Sequence, residues 1–181
     1  SRTESFLAMR IKIENWRWAG TPFYLRTGKK LKRRMSEIAI FFKDPPHSIF
    51  PDETVRDNNA LIIKLQPEER ITLYTTVKEP GPGGMRLIQV PLDMTFSDLH
   101  DEETVNVDAY ERLILDVIRG NQTLFMRGDE VEAAWAWIDP IEERWREKND
   151  KPKQYDPGSS GPEDALMLMH RDGRRWRDLG A

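Results

Sequence analysis

The chain has 181 residues and a formal net charge of −3, with 38% hydrophobic, 9% aromatic and 33% charged residues. That is enough apolar material for a sizeable core, and residues 1–181 read as one domain. Zero cysteines exclude disulfides and thiolate metal sites, and no apolar run approaches the roughly 20 residues needed to cross a bilayer, so no membrane partner is expected.

Phe6 to Glu14 alternates, with Leu7, Met9, Ile11 and Ile13 on one side and Ala8, Arg10, Lys12 and Glu14 on the other, which predicts a strand with one buried face. An aromatic, turn-forming segment (Trp16, Trp18, Gly20, Pro22) leads into a short strand at Phe23 to Leu25. Further strands are predicted over 37–43, ending at Asp44-Pro45-Pro46, then over 60–66, 71–78 and 85–96, the last interrupted at Pro91. His47 to Asn58 reads as a loop. Short turns between successive strands imply antiparallel pairing.

From Asp108 the period becomes helical. Asp108 with Glu111 forms a capping pair, Leu113, Ile114, Val117 and Ile118 form the stripe, and Gly120 suits the C-terminal cap. A second helix is predicted to start at a capping pair of Asp129 with Glu132 and to end or kink at Pro140, with Trp135, Ile138 and Trp145 in the core. Lys151 to Pro162 is a Pro/Gly/Ser-rich loop, and Glu163 to His170 a last short helix. The fold class is therefore α+β: a large, mostly antiparallel sheet with helices packed on one face and the other face available for dimerisation. Leu7, Met9, Ile11 and Ile13 are the apolar residues expected on that open face.

The densest chemistry lies in Arg26, Lys29, Lys30, Lys32, Arg33 and Arg34, six cations within nine residues. They leave a formal −9 on the rest of the chain. A solvated surface run is the ordinary explanation for such clustering. Here the run follows a strand instead of occupying a helix surface or a tail, and Gly28 lets backbone amides approach a ligand closely. A local basic loop on an acidic protein suits a small anion. His47, His100 and His170 have no ligand spacing, so no metal is assigned. Acid pairs such as Glu102 with Glu103 and Glu142 with Glu143 read as surface charge, and no residue is assigned a catalytic role.

The run IENWRWAGTPFYLRTGKKL, the later DAYERLILDVIRGNQTLFMRGDEVEAAWAWIDPI and the terminal YDPGSSGPEDALMLMHRDGRRWR together resemble the C-terminal domain of glucose-6-phosphate dehydrogenase, over nearly the whole chain. The resemblance implies oxidation of glucose 6-phosphate to the lactone with reduction of NADP, in the cytoplasm, by a homodimer or homotetramer whose sheet lies at the subunit interface. It places Lys29 at the sugar, Arg34 near the phosphate and Gln66, in LIIKLQPEE, beside the sugar, with Arg26 and Arg33 as additional anion contacts. No dinucleotide fingerprint precedes Trp16, and the family's RIDHYLGKE-like stretch and histidine base are also absent. NADP and the base are thus expected mainly on an N-terminal domain outside this chain, which alone would be inactive.

Animal members carry a second, structural NADP site. Arg26 matches it and Lys64 is a similar cation, but Met35 and Ala39 stand where those enzymes have basic side chains, which argues against that site here. The alternative from another class is a non-catalytic module binding RNA or another polyanion through loop 26–34. Confinement of the cations to one loop disfavours a nucleic-acid partner, whose binding domains spread Lys and Arg over a face.

Overall fold

The computed structural model describes residues 3–47, 58–82, 84, 86–95 and 109–178. Asp108, His100, Pro51, Glu102 and Glu103 lie outside the described residues. In chain order the elements are β1 (Phe6–Lys12), β2 (Pro22–Gly28), β3 (Ser36–Phe41), β4 (Ala60–Gln66), β5 (Arg70–Lys78), β6 (Leu87–Thr95), α1 (Ala109–Arg119), α2 (Gly128–Lys148) and α3 (Glu163–His170). This is the expected α+β composition, and the antiparallel strands divide into two sheets: a pair, β1-β2, and a four-stranded meander, β3-β4-β5-β6.

Two compact units follow. The first comprises Ser1–Lys29, Thr104–Asp156 and Gly161–Asp172; the second comprises Lys30–Glu103, Pro157–Ser160 and Gly173–Ala181. In the first, β1 pairs with β2 from Phe6 opposite Gly28 to Lys12 opposite Pro22. Helix α3 packs against β1 and buries Ala165 and Met169. Tyr24 donates its hydroxyl hydrogen to the Asp172 carboxylate, and the Arg10 guanidinium lies 3.2 Å from the same group. Gly161 holds φ +105°, and a Cβ there would stand 2.3 Å from a ring carbon of Phe6.

In the second unit, register assigns side chains to faces. Ala39, Ile62, Thr72 and Asp93 form one cross-strand row, with the Thr72 hydroxyl donating to Asp93 at 2.6 Å. Ala60, Ile62 and Thr72 on this face are buried. The opposite face carries two apolar rows: Ile38, Ile63, Ile71 and Met94 form one, and Ile40, Leu61, Leu73 and Leu92 the next. It is also the open face, with Leu92 58%, Met94 54% and Ile38 49% exposed.

Several local expectations need correction. β1 stops at Lys12, so Ile13 falls outside the strand, and Leu7, Met9 and Ile11 are partly covered within their two-stranded sheet. The exposed apolar sheet face belongs to β3–β6 instead. β6 runs unbroken through Pro91, because it is an edge strand and a proline whose nitrogen points away from β5 removes no ladder bond. Helix α2 starts at Gly128, with the Glu130 carboxylate accepting the Arg127 backbone N–H at 3.1 Å, so Asp129 lies inside the first turn.

The same helix continues past Pro140, forgoing only the bond to the Ala136 carbonyl. Trp135 and Trp145, expected in the core, are exposed, as are Ile114, Val117 and Ile118 of α1. Helical spacing identifies an apolar stripe but not its partner, and among the described residues neither helix packs extensively on a strand. Gly120 does terminate α1, at φ +69°.

Gly161→Ala should destabilise the chain by about 1–3 kcal/mol, because the side chain meets both an unfavourable φ and the Phe6 ring. Urea unfolding measures it, with Gly128→Ala as control. Gly128 has open space around a Cβ position and no positive φ, so that change should leave the midpoint unchanged or slightly raised.

Candidate functional site

The basic run starts on a strand and continues as a loop whose backbone is tied down at several points. Arg26 is the third residue from the end of β2, opposite Ala8 and half-buried. Lys29 follows Gly28 directly. Its N–H donates to the Ser5 carbonyl at 2.8 Å, and its own carbonyl accepts the Tyr155 hydroxyl at 2.7 Å. The Lys29 side chain is left exposed. These contacts belong to the first unit.

In the second unit the chain turns at once, with Lys30 in the left-handed region at φ 51°. The Gly158 N–H donates to the Lys30 carbonyl at 2.8 Å, and the Lys32 N–H donates to the Ser159 carbonyl at 3.0 Å. The Pro157–Ser160 turn thereby fixes the loop's main chain without using its charges. Lys32 Nζ lies 4.0 Å from the exposed Asp178 carboxylate, a pair of little energetic weight. Arg33 and Arg34 are exposed, and among the described residues neither makes an ion pair.

Glu37, the acid nearest to Arg34 in sequence, is already engaged. One Arg177 guanidinium nitrogen donates to its two carboxylate oxygens at 3.2 and 2.9 Å, with both side chains largely covered. A carboxylate neutralised in this way does not compete with an incoming anion for the loop's cations. Gln66 ends β4 opposite Ser36, beyond the register shift between Ser36 and Glu37, and is exposed; its bond to Pro67 is cis.

The structure thus groups Arg33, Arg34 and Gln66 in the second unit, and Arg26 and Lys29 in the first. Lys64 pairs across the sheet with Glu37 and Arg70, and Ala39 faces Ile62 in an apolar stretch of the same face. Among the described residues no cluster of three or more His, Cys, Asp and Glu side chains has metal-binding geometry. The side chains missed by sequence reasoning are Tyr155 and Arg177, together with the backbone of Ser5, Gly158 and Ser159. The Tyr-Asp-Pro-Gly-Ser-Ser-Gly stretch signalled only a turn, although it supplies the anchors of the basic loop.

Residues 1–177 match the family described as "Glucose-6-phosphate dehydrogenase, C-terminal domain". The chain is 55% identical over 179 residues to the glucose-6-phosphate 1-dehydrogenase of Rhizobium meliloti (strain 1021), covering 98% of this chain and 36% of the relative. It is 53% identical over 177 residues to that of Mycolicibacterium smegmatis (strain ATCC 700084 / mc(2)155), covering 97% and 35%. Among solved structures, the glucose-6-phosphate 1-dehydrogenase of Mycobacterium avium superposes with a TM-score of 0.78 at 32% identity, over 98% of this chain and 36% of that one. A glucose-6-phosphate dehydrogenase in complex with its substrate glucose 6-phosphate superposes with a TM-score of 0.80 at 31% identity, over 96% and 35%. The chain spans about a third of the length of the relatives it matches. With the family matched across nearly all of its residues, the chain belongs to the glucose-6-phosphate dehydrogenase C-terminal domain family.

Proposed function

We propose that this chain acts as one functional domain of a cytoplasmic, NADP-dependent glucose-6-phosphate dehydrogenase, supplying the grip on the sugar phosphate and the subunit interface. The observation that carries the reading is the basic loop 26–34, held by its backbone with Lys29, Arg33 and Arg34 exposed, in a chain similar to an enzyme solved with glucose 6-phosphate. Arg34 meets the phosphate, Lys29 and Gln66 meet the sugar, and Arg26 and Arg33 add positive field. The phosphate does not react. Its binding energy aligns the anomeric carbon for transfer of a hydride, while a base outside this chain takes the hydroxyl proton.

Every described strand pair is antiparallel, and no described strand enters a helix through a glycine loop of the dinucleotide-binding kind. We assign NADP mainly to a part of the enzyme outside this chain. No described helix is long and apolar enough to cross a membrane. The family match gives no support to RNA or another polyanion as the loop's ligand.

In the full-length enzyme, Arg34→Ala should raise KM for glucose 6-phosphate tenfold to a hundredfold, from loss of a charge-assisted contact of about 1.5–3 kcal/mol. Lys29→Ala should also lower kcat. Steady-state kinetics distinguish the register: a strong rise in KM for Arg33→Ala with none for Arg34→Ala transfers the phosphate contact to Arg33. The chain on its own should show no reduction of NADP with glucose 6-phosphate, since base and hydride acceptor are not both present. Turnover at an ordinary enzymatic rate would contradict that division of labour.

The open apolar face of β3–β6 is the proposed interface of a homodimer or homotetramer. Sedimentation of the chain should show a dimer or larger species, and Ile40→Asp with Leu92→Asp should shift it to monomer. A wild-type chain that stays monomeric at high concentration removes this assignment.

A further inference from the structure

The side chain with the most specific contact to the loop is one to which the functional reading gives no role. The Tyr155 hydroxyl lies 2.7 Å from the Lys29 carbonyl oxygen, 3.0 Å from the Ser5 carbonyl oxygen and 3.4 Å from Ser5 Oγ. A phenol has one hydrogen to donate, and the shorter contact identifies Lys29 as its main acceptor. The Lys29 N–H is meanwhile held by the same Ser5 carbonyl at 2.8 Å. Both polar groups of the Lys29 peptide backbone are therefore fastened, while its ammonium is exposed.

The Tyr155 ring is itself held in place. It packs against Phe6 with centroids 5.5 Å apart and planes at 59°. Phe6 lies over Gly161, where no side chain could fit. Ring, hydroxyl and carbonyl form a short rigid path to the Cα of a residue that leads a run of cations. Like charges drive such a run apart, and a long, flexible lysine reaches a defined point only if its backbone origin does not move.

We propose that Tyr155 is a positioning residue for Lys29: by donating to its carbonyl, it fixes the point from which the ammonium reaches the substrate. The inference rests on the sugar-contact role given to Lys29 above. Tyr155→Phe retains the ring on Phe6 and removes only the donor. One hydrogen bond of this kind corresponds to a loss of roughly threefold to tenfold in kcat/KM for glucose 6-phosphate in the full-length enzyme.

The decisive measurement is a double-mutant cycle. With Lys29 present, Tyr155→Phe should show that loss; in a Lys29→Ala background it should show almost none, because the group being positioned is gone. A loss of equal size in both backgrounds overturns the positioning role and leaves the sugar contact standing. If Lys29→Ala changes neither KM nor kcat, the sugar contact itself fails and the positioning role with it.

A near-isosteric second probe covers the case in which Tyr155→Phe does not fold. Replacing Tyr155 by a fluorinated tyrosine lowers the phenol pKa, so the donor is lost as pH rises through that value. The kcat/KM of this protein should then fall over that pH window when Lys29 is present and not when it is Ala. An identical pH profile in the two backgrounds also overturns the proposal.

Discussion

Mutual repulsion among the cations of residues 26–34 is the constraint to which the surrounding structure answers. Two such charges a few ångströms apart near a protein surface repel by on the order of 1–4 kcal/mol, and the five that follow Gly28 would splay a short loop in the absence of restraint. The restraint comes from neutral hydrogen bonds to the main chain. Ser5 and Tyr155 hold Lys29, Gly158 holds Lys30, and Ser159 holds Lys32. Each contributes only about 0.5–1.5 kcal/mol net. None of these bonds neutralises a cation. Countering the repulsion with carboxylates on each side chain would have cancelled the charge along with it.

The fastening segment is as unusual in its path as the loop it holds. Tyr155 and Gly161 contribute to one compact unit, whereas the Pro157–Ser160 turn between them contributes to the other. The basic run is divided in the same way between Lys29 and Lys30. In each unit the two segments meet through main-chain hydrogen bonds. The Arg177 clamp on Glu37 adds a further condition in the second unit: the one acid close to Arg34 along the chain is neutralised by a residue from the terminal tail.

Much of this was legible in the sequence because period and punctuation are local. Alternation at Leu7, Met9 and Ile11 marked β1, the Ala60 to Gln66 strand appeared with its observed limits, and Gly120 marked the end of α1. What a sequence could not disclose was partnership over distance. Tyr155 is 126 residues from Lys29 and Arg177 is 140 from Glu37, and nothing in the composition of either neighbourhood names the other. The same limit misplaced the open apolar face. Each strand showed an apolar side, but only register tells which sides align into rows and which rows remain uncovered. Neither proline ends its element: α2 continues through Pro140 although the bond to the Ala136 carbonyl is lost, and β6 continues through Pro91 because an edge strand has one side with no ladder to interrupt.

The four-stranded sheet also has a bearing on how copies of the chain can grow together. Its outer strand β6 carries Pro91 in the middle of its free side, whereas the register irregularity opposite Ser36 and Glu37 puts its extra residue, Leu65, on the inner strand β4. A proline offers no donor to an added strand, so the β6 rim is a poor template for extending the ladder. Continuation along the hydrogen-bonding direction, which leads to open-ended fibres, is blunted at the β6 end, while the apolar rows on the sheet face stay exposed. The interface proposed for these rows would set one copy's face on its own counterpart in another, and such a surface is satisfied once it is covered, so that growth by that route stops at a closed assembly.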